Sequence, residues 1–126
     1  MRFTKKDNIY TIARMTGNRD NILGISFSNT DSTEDKIEVI QWIFPKIDSS
    51  TIRTSKEEVL NQVLTGFNWI NKSYGTSYKL SKICYVPSEN GSGSIYSLLT
   101  QYLLEHYHEG KEFKEVKYEY SSRTLH

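Results

Sequence analysis

Read for the spacing of its apolar positions, the chain separates into runs of strand character and runs of helix character. The most apolar strand-like run is KIEVIQWIF, residues 36–44. Successive strand residues face opposite sides, so Ile37, Val39, Gln41 and Ile43 share one face and Glu38, Ile40, Trp42 and Phe44 the other. A strand that is apolar on both faces belongs inside a sheet, covered on each side. Pro45 ends the run, having no N–H to give to a ladder. This spacing predicts a central strand whose Trp42 and Phe44 are buried between sheet and helix together with Phe27 and Phe67.

Upstream, residues 9–15 (IYTIARM) and 22–28 alternate as strands, separated by turn residues at 17–21. The loop NTDSTED then leads into the central run, and so short a connection predicts an antiparallel hairpin. The first three strands therefore read as a meander. Downstream, Thr54 followed by Glu57 fits a capping box. The next apolar positions, Val59, Leu60, Val63, Leu64, Phe67, Ile70 and Tyr74, recur on one side of a helix over 55–74, which Gly75 is placed to end. Trp69 falls on nearly the opposite side of that helix.

A short strand follows at 82–86 (KICYV), then the turn PSENGSGS, then a helix over 94–109 closed by Gly110. The apolar side of this second helix carries Ile95, Leu98, Leu99, Tyr102, Leu103 and His106. A last strand at 113–120 has one charged face, as suits a sheet edge, and residues 121–126 read as a loose tail. The order is β-β-β-α-β-α-β. It predicts a single α+β (mixed α/β) domain with a mixed five-stranded sheet, an antiparallel N-terminal meander and two packed helices.

Composition narrows the class. Sixteen basic and 15 acidic side chains leave a formal charge of +1 over 126 residues, whereas a protein built to bind nucleic acid in bulk carries a large basic excess. One cysteine, Cys84, excludes an internal disulfide and a cysteine-rich zinc site and fits a reducing compartment. No apolar run approaches the roughly 20 residues that span a bilayer, and MRFTKKDN lacks the apolar core of a signal peptide. The expectation is a soluble cytoplasmic protein without a direct nucleic-acid or membrane role. Nothing in the sequence sets its oligomeric state.

Candidate chemistry is sparse. Gly91, Ser92, Gly93 and Ser94 lead from a strand into a helix N-terminus, where free N–H groups and the helix dipole can hold an anion. The run lacks both phosphate-loop spacings and a following lysine. Glu105, His106, Tyr107, His108 and Glu109 place only Glu105 and His108 on one helical side, and two ligands are too few for a metal. Cys84, with His106 or His108 as its base, lies in an apolar strand and reads as an inert thiol. Hence no catalytic set, no metal and no cofactor are expected. The acidic cluster Asp31, Glu34 and Asp35 lies in a loop free to project, and Trp69 is an aromatic on a polar helix face. Together these four form the expected partner-binding surface.

In size and mixed layout, and in lacking a catalytic set, the chain resembles the immunity proteins of bacterial toxin systems, such as contact-dependent growth inhibition. That resemblance implies a non-catalytic cytoplasmic protein that binds a toxin, for instance a basic nuclease, and blocks its active site. The strand order is also similar to the general layout of ribonuclease H-like enzymes. A separate restriction-nuclease-like reading would draw on Asp31 with the triplet Glu34-Asp35-Lys36, and a further enzyme reading would use the 91–94 loop for a phosphate ligand.

Overall fold

The computed structural model describes residues 1–16, 19–28, 37–42, 55–86 and 94–116. Its elements are β1 (Arg2–Lys6), β2 (Ile9–Thr16), β3 (Arg19–Phe27), β4 (Glu38–Gln41), α1 (Lys56–Tyr74), β5 (Leu80–Val86), α2 (Ile95–His108) and β6 (Lys114–Glu115). They form one mixed six-stranded sheet in the order β4-β5-β3-β2-β1-β6, an α+β fold with two helices as expected. The strand that the sequence reading lacked is β1. It pairs antiparallel with β2, Lys6 opposite Ile9, through a two-residue turn at Asp7-Asn8 in which Asp7 has φ 54°. Aspartate tolerates that left-handed backbone better than most residues.

The meander is therefore β1-β2-β3, one strand earlier than expected. The predicted hairpin between residues 22–28 and 36–44 does not form. Instead β5 lies between β3 and β4, antiparallel to β3 and parallel to β4. The 36–44 run is thus an edge strand among the described residues, and β5 is the inner one. Its sequence LSKICYV has apolar residues of both parities, and they are buried on both faces of the sheet. Ile83 and Tyr85 face the helices, while Cys84 and Val86 face away. The parallel β4–β5 pairing follows from the helix between them, which returns the chain to the end where it began.

Both helices cover one face. Val59, Val63, Phe67 and Ile70 of α1 and Tyr96, Leu99, Leu103 and Leu104 of α2 pack there on Ile12, Leu23, Ile25, Ile83 and Tyr85. The N-cap of α1 is Ser55, whose hydroxyl accepts the Glu58 N–H at 3.1 Å. The S-x-x-E capping pattern is thus used one residue later than Thr54-Glu57. Gly75 closes α1 with φ 66°. The two helices run parallel and very close. A Cβ at Gly66 would lie 2.7 Å from the Thr100 Cβ and 2.9 Å from the Ser97 carbonyl oxygen, so only glycine admits this crossing.

The opposite face of the sheet holds a smaller cluster of Ala13, Ile22, Trp42, Cys84 and Val86, with Ile9 and Ile40 packed against it. Trp42 is buried, as expected, but on this face and not under the helices, because it shares the parity of Ile40. Its N–H donates to the Tyr85 carbonyl at 2.7 Å, and its ring lies across Gly24, where a Cβ would come within 2.7 Å of Trp42 Cη2. Phe67 and Phe27 do meet on the helix side, with centroids 6.1 Å apart. Phe44, the partner expected for Trp42, lies outside the described residues. At the other edge β6, two exposed charged residues, pairs parallel with β1; of the strand expected over 113–120, residues 117–120 lie outside the described residues.

Candidate interaction surface

The parallel helices end side by side, and aromatic side chains collect beneath their last turns. Phe27, Tyr10, Tyr107, Tyr78 and Phe113 interlock with centroid separations of 4.6–6.4 Å. His106 stacks on Phe3 at 3.7 Å and 5°, and its Nε2–H donates to the Glu112 carbonyl at 2.7 Å. It is a hydrogen-bonded residue of the apolar side, as its position predicted. His108 stacks on Tyr74 at 4.4 Å and 6°, while its Nδ1 meets the Tyr78 hydroxyl at 2.9 Å. Asn71 ties the α1 exit to the approach of β5, donating to the Tyr78 carbonyl and accepting the Tyr78 N–H. This end of the molecule is therefore rigid, because each ring is fixed by at least one other.

Three large aromatics reach solvent from the helix layer: Trp69 at 53% exposure, Tyr74 at 39% and Tyr102 at 37%. Trp69 projects away from the core, as helical spacing implied. Tyr74 and Tyr102, expected on the apolar sides, are the corrections. Tyr74 sits in the last turn, past the end of the core, and stacks on His108. Tyr102 falls outside the α2 core positions at 96, 99, 103 and 104. Around Tyr74 the charges are mixed: Glu105 and Glu109 stand beside it, Lys72 lies in the same last turn of α1, and Lys111 pairs with Glu109 at 3.3 Å. Desolvation against its neighbours and the carboxylates of Glu105 and Glu109 all hold its hydroxyl above the usual pKa. The C-termini of both helices, the negative ends of their dipoles, add to that sign. The expected acidic residues Asp31, Glu34 and Asp35 lie outside the described residues.

So do Gly91, Ser92 and Gly93. Ser94 is the N-cap position of α2, yet its side chain makes no capping hydrogen bond. Glu105 and His108 do not gather a third ligand, and no group of three or more His, Cys, Asp or Glu among the described residues could hold a metal. Cys84 is buried on the face opposite the helices, away from His106 and His108, whose rings pack at the helix ends.

One feature escaped the sequence reading. Between the β1–β6 pair and the end of α2 lies an open cleft of about 300 Å³, with Lys5, Tyr10, Tyr107, Lys111, Phe113 and Glu115 on its walls. Lys5 Nζ lies 5.1 Å from the Tyr10 ring centroid. The signal that points to it is the Asp7-Asn8 turn, which sets Lys5 opposite Tyr10 in the hairpin register. Buried position raises the Tyr107 hydroxyl pKa, as do the hydroxyls of Tyr10 and Tyr78, and the Lys5 ammonium opposes them.

No helix among the described residues is long and apolar enough to cross a membrane. Compared with known proteins, the chain matches no protein-family model, no curated protein and no solved structure.

Proposed function

We propose that the protein is a non-catalytic cytoplasmic binding protein whose helix layer docks a basic protein partner, and that it neutralises a toxin by covering that toxin's active site. The observation that carries the reading is Trp69, more than half exposed on a rigid helix. Tryptophan is rich among residues that dominate binding energy, and leaving it in water is unfavourable for a protein without a partner. The charge of the partner is taken from Glu105 and Glu109, two carboxylates near the end of α2 that act on Tyr74. Asp31, Glu34 and Asp35 supply further acidic groups of the same sign. A nuclease holds its substrate's phosphates with basic residues, so an acidic, aromatic surface complements such a site.

The test is capture of interacting proteins on the immobilised chain, run beside Trp69→Asp and Glu105→Lys. The expected result is a basic protein held by wild type, weakened at least about tenfold by each variant, and toxic to cells unless this chain is co-expressed. A partner that binds all three forms equally would remove the helix layer from the interface. A partner whose toxicity persists on co-expression would refute neutralisation.

A further inference from the structure

The outer face of the helix layer is poor in charge along most of its length. In a chain that is 25% charged, α1 has no charged residue from Val59 to Asn71 and α2 has none from Ile95 to Leu104. Opposite the buried side of α1, Glu58, Asn61, Thr65, Trp69 and Lys72 are all exposed, and helical spacing gathers them into one stripe. Opposite the buried side of α2, half-buried Ile95 and Leu98 and exposed Tyr102 form a second stripe. A helix face that only meets water is polar and charged. The centre of a protein interface is poor in charge and rich in aromatics, with its charges at the rim, and that is the pattern of this face.

The order of residues along α1 shows what fits there. Glu58 and Lys72 stand seven residues to either side of Thr65, and Asn61 and Trp69 four residues to either side. An identical helix laid antiparallel, Thr65 on Thr65, therefore brings Lys72 to the other copy's Glu58 at both ends and seats each Trp69 on the other copy's Asn61. Within one chain the two charges are about 21 Å apart along the helix at 1.5 Å per residue, too far to pair. Gly66 lies against Ser97 and Thr100, which sets Leu98 level with Thr65 in the parallel α2. The same twofold then lays Leu98 on Leu98 and Tyr102 beside the other copy's Ile95. Every pairing occurs twice, as in a closed isologous dimer. We propose that the free protein associates with a second copy of itself through this face, antiparallel about Thr65, with Trp69 and Tyr102 in the contact and Glu58–Lys72 pairs at its rim. A protein partner that docks on Trp69 must then displace the second copy.

Sedimentation velocity of the full chain alone tests this, and because no other protein is present, its failure leaves the toxin reading standing. Wild type should pass from monomer to dimer as its concentration rises to about 0.5 mM, a range in which even a weak specific contact registers. Trp69→Ser should weaken the dimer at least about tenfold. Glu58→Lys or Lys72→Glu alone sets like charges together at both ends and should weaken it about threefold or more. Combined, the two reversals should restore it to within about twofold of wild type. Each reversal also opposes the α1 dipole, a cost that the double variant carries twice, so restoration separates pairing between copies from helix stability. A chain still monomeric at about 0.5 mM would overturn the proposal, as would a dimer indifferent to Trp69→Ser. A double variant no stronger than either single one would overturn the antiparallel register.

Discussion

Under the helices, the sheet is sealed by a continuous layer in which α1 and α2 supply most of the large buried side chains. On its other face, the described side chains form a cluster of five buried residues, of which Trp42 is much the largest. The two faces are stabilised differently. The helix side is redundant: Phe67, Leu99 and Leu103 lie in a layer where a lost group is partly replaced by neighbouring side chains. The other side depends on one ring lying flat, and on Gly24 leaving room beneath it.

The contrast is first sharpened by truncation on each face. Trp42→Ala should cost about 3–5 kcal/mol in urea unfolding, and Phe67→Ala about 3 kcal/mol, since both bury an aromatic side chain. A loss below about 1 kcal/mol for Trp42→Ala would mean that the smaller cluster contributes little to folding. Next in size is Gly24→Ala. The added methyl must displace the Trp42 ring, Ile9 or Thr11, costing about 1–3 kcal/mol as overpacking does. Measured again in a Trp42→Leu background, that cost should fall by about 1 kcal/mol or more, the sign of direct coupling. With Trp69→Phe in place, Trp42 is the sole tryptophan, and its emission should shift on Gly24→Ala. Unchanged emission would place the strain elsewhere.

The smallest effect distinguishes the faces by pH. Tyr85 and Tyr107, both on the helix side, have hydroxyl pKa values raised by burial above the ordinary 10.0. A raised acid pKa means that the folded state retains the proton longer than the unfolded chain does. Stability from these groups is therefore complete below pH 10 and declines as pH rises from there through their folded values. Tyr85→Phe should flatten this alkaline decline, whereas Trp42→Phe should leave its slope unchanged. If the slope survives Tyr85→Phe combined with Tyr107→Phe, other groups cause it.

Much of this fold is legible in the residues themselves. The α1 stripe from Val59 to Ile70, the Gly75 stop and the two-sided burial of 82–86 all rest on local periodicity, and the structure bears them out. The failures are non-local. Residues 36–44 and 82–86 are both apolar on alternate faces, and nothing in either run says which of them pairs with β3. β1 was missed because RFTKK is short and basic, and its strand state depends on the β2 hairpin. The same cause hid the cleft: Lys5 is far in sequence from Tyr107 and Phe113, and only the β1–β6 pairing and the end of α2 bring it to them. Trp69, by contrast, could be placed from helical angle alone.

The position of β5 between β3 and β4 bears on how the chain is made. Synthesis delivers β3 first, then β4, then α1, and β5 only afterwards. Until β5 emerges, β3 presents an unpaired row of backbone donors and acceptors, a template for any extended segment. The nearest such segment on the growing chain is β4, separated from β3 only by residues 28–37, so the mature topology competes with a local hairpin between them. Arrested nascent chains ending before residue 80 should populate that pairing or associate with one another, and release of the complete chain should dissolve it as β5 enters the slot.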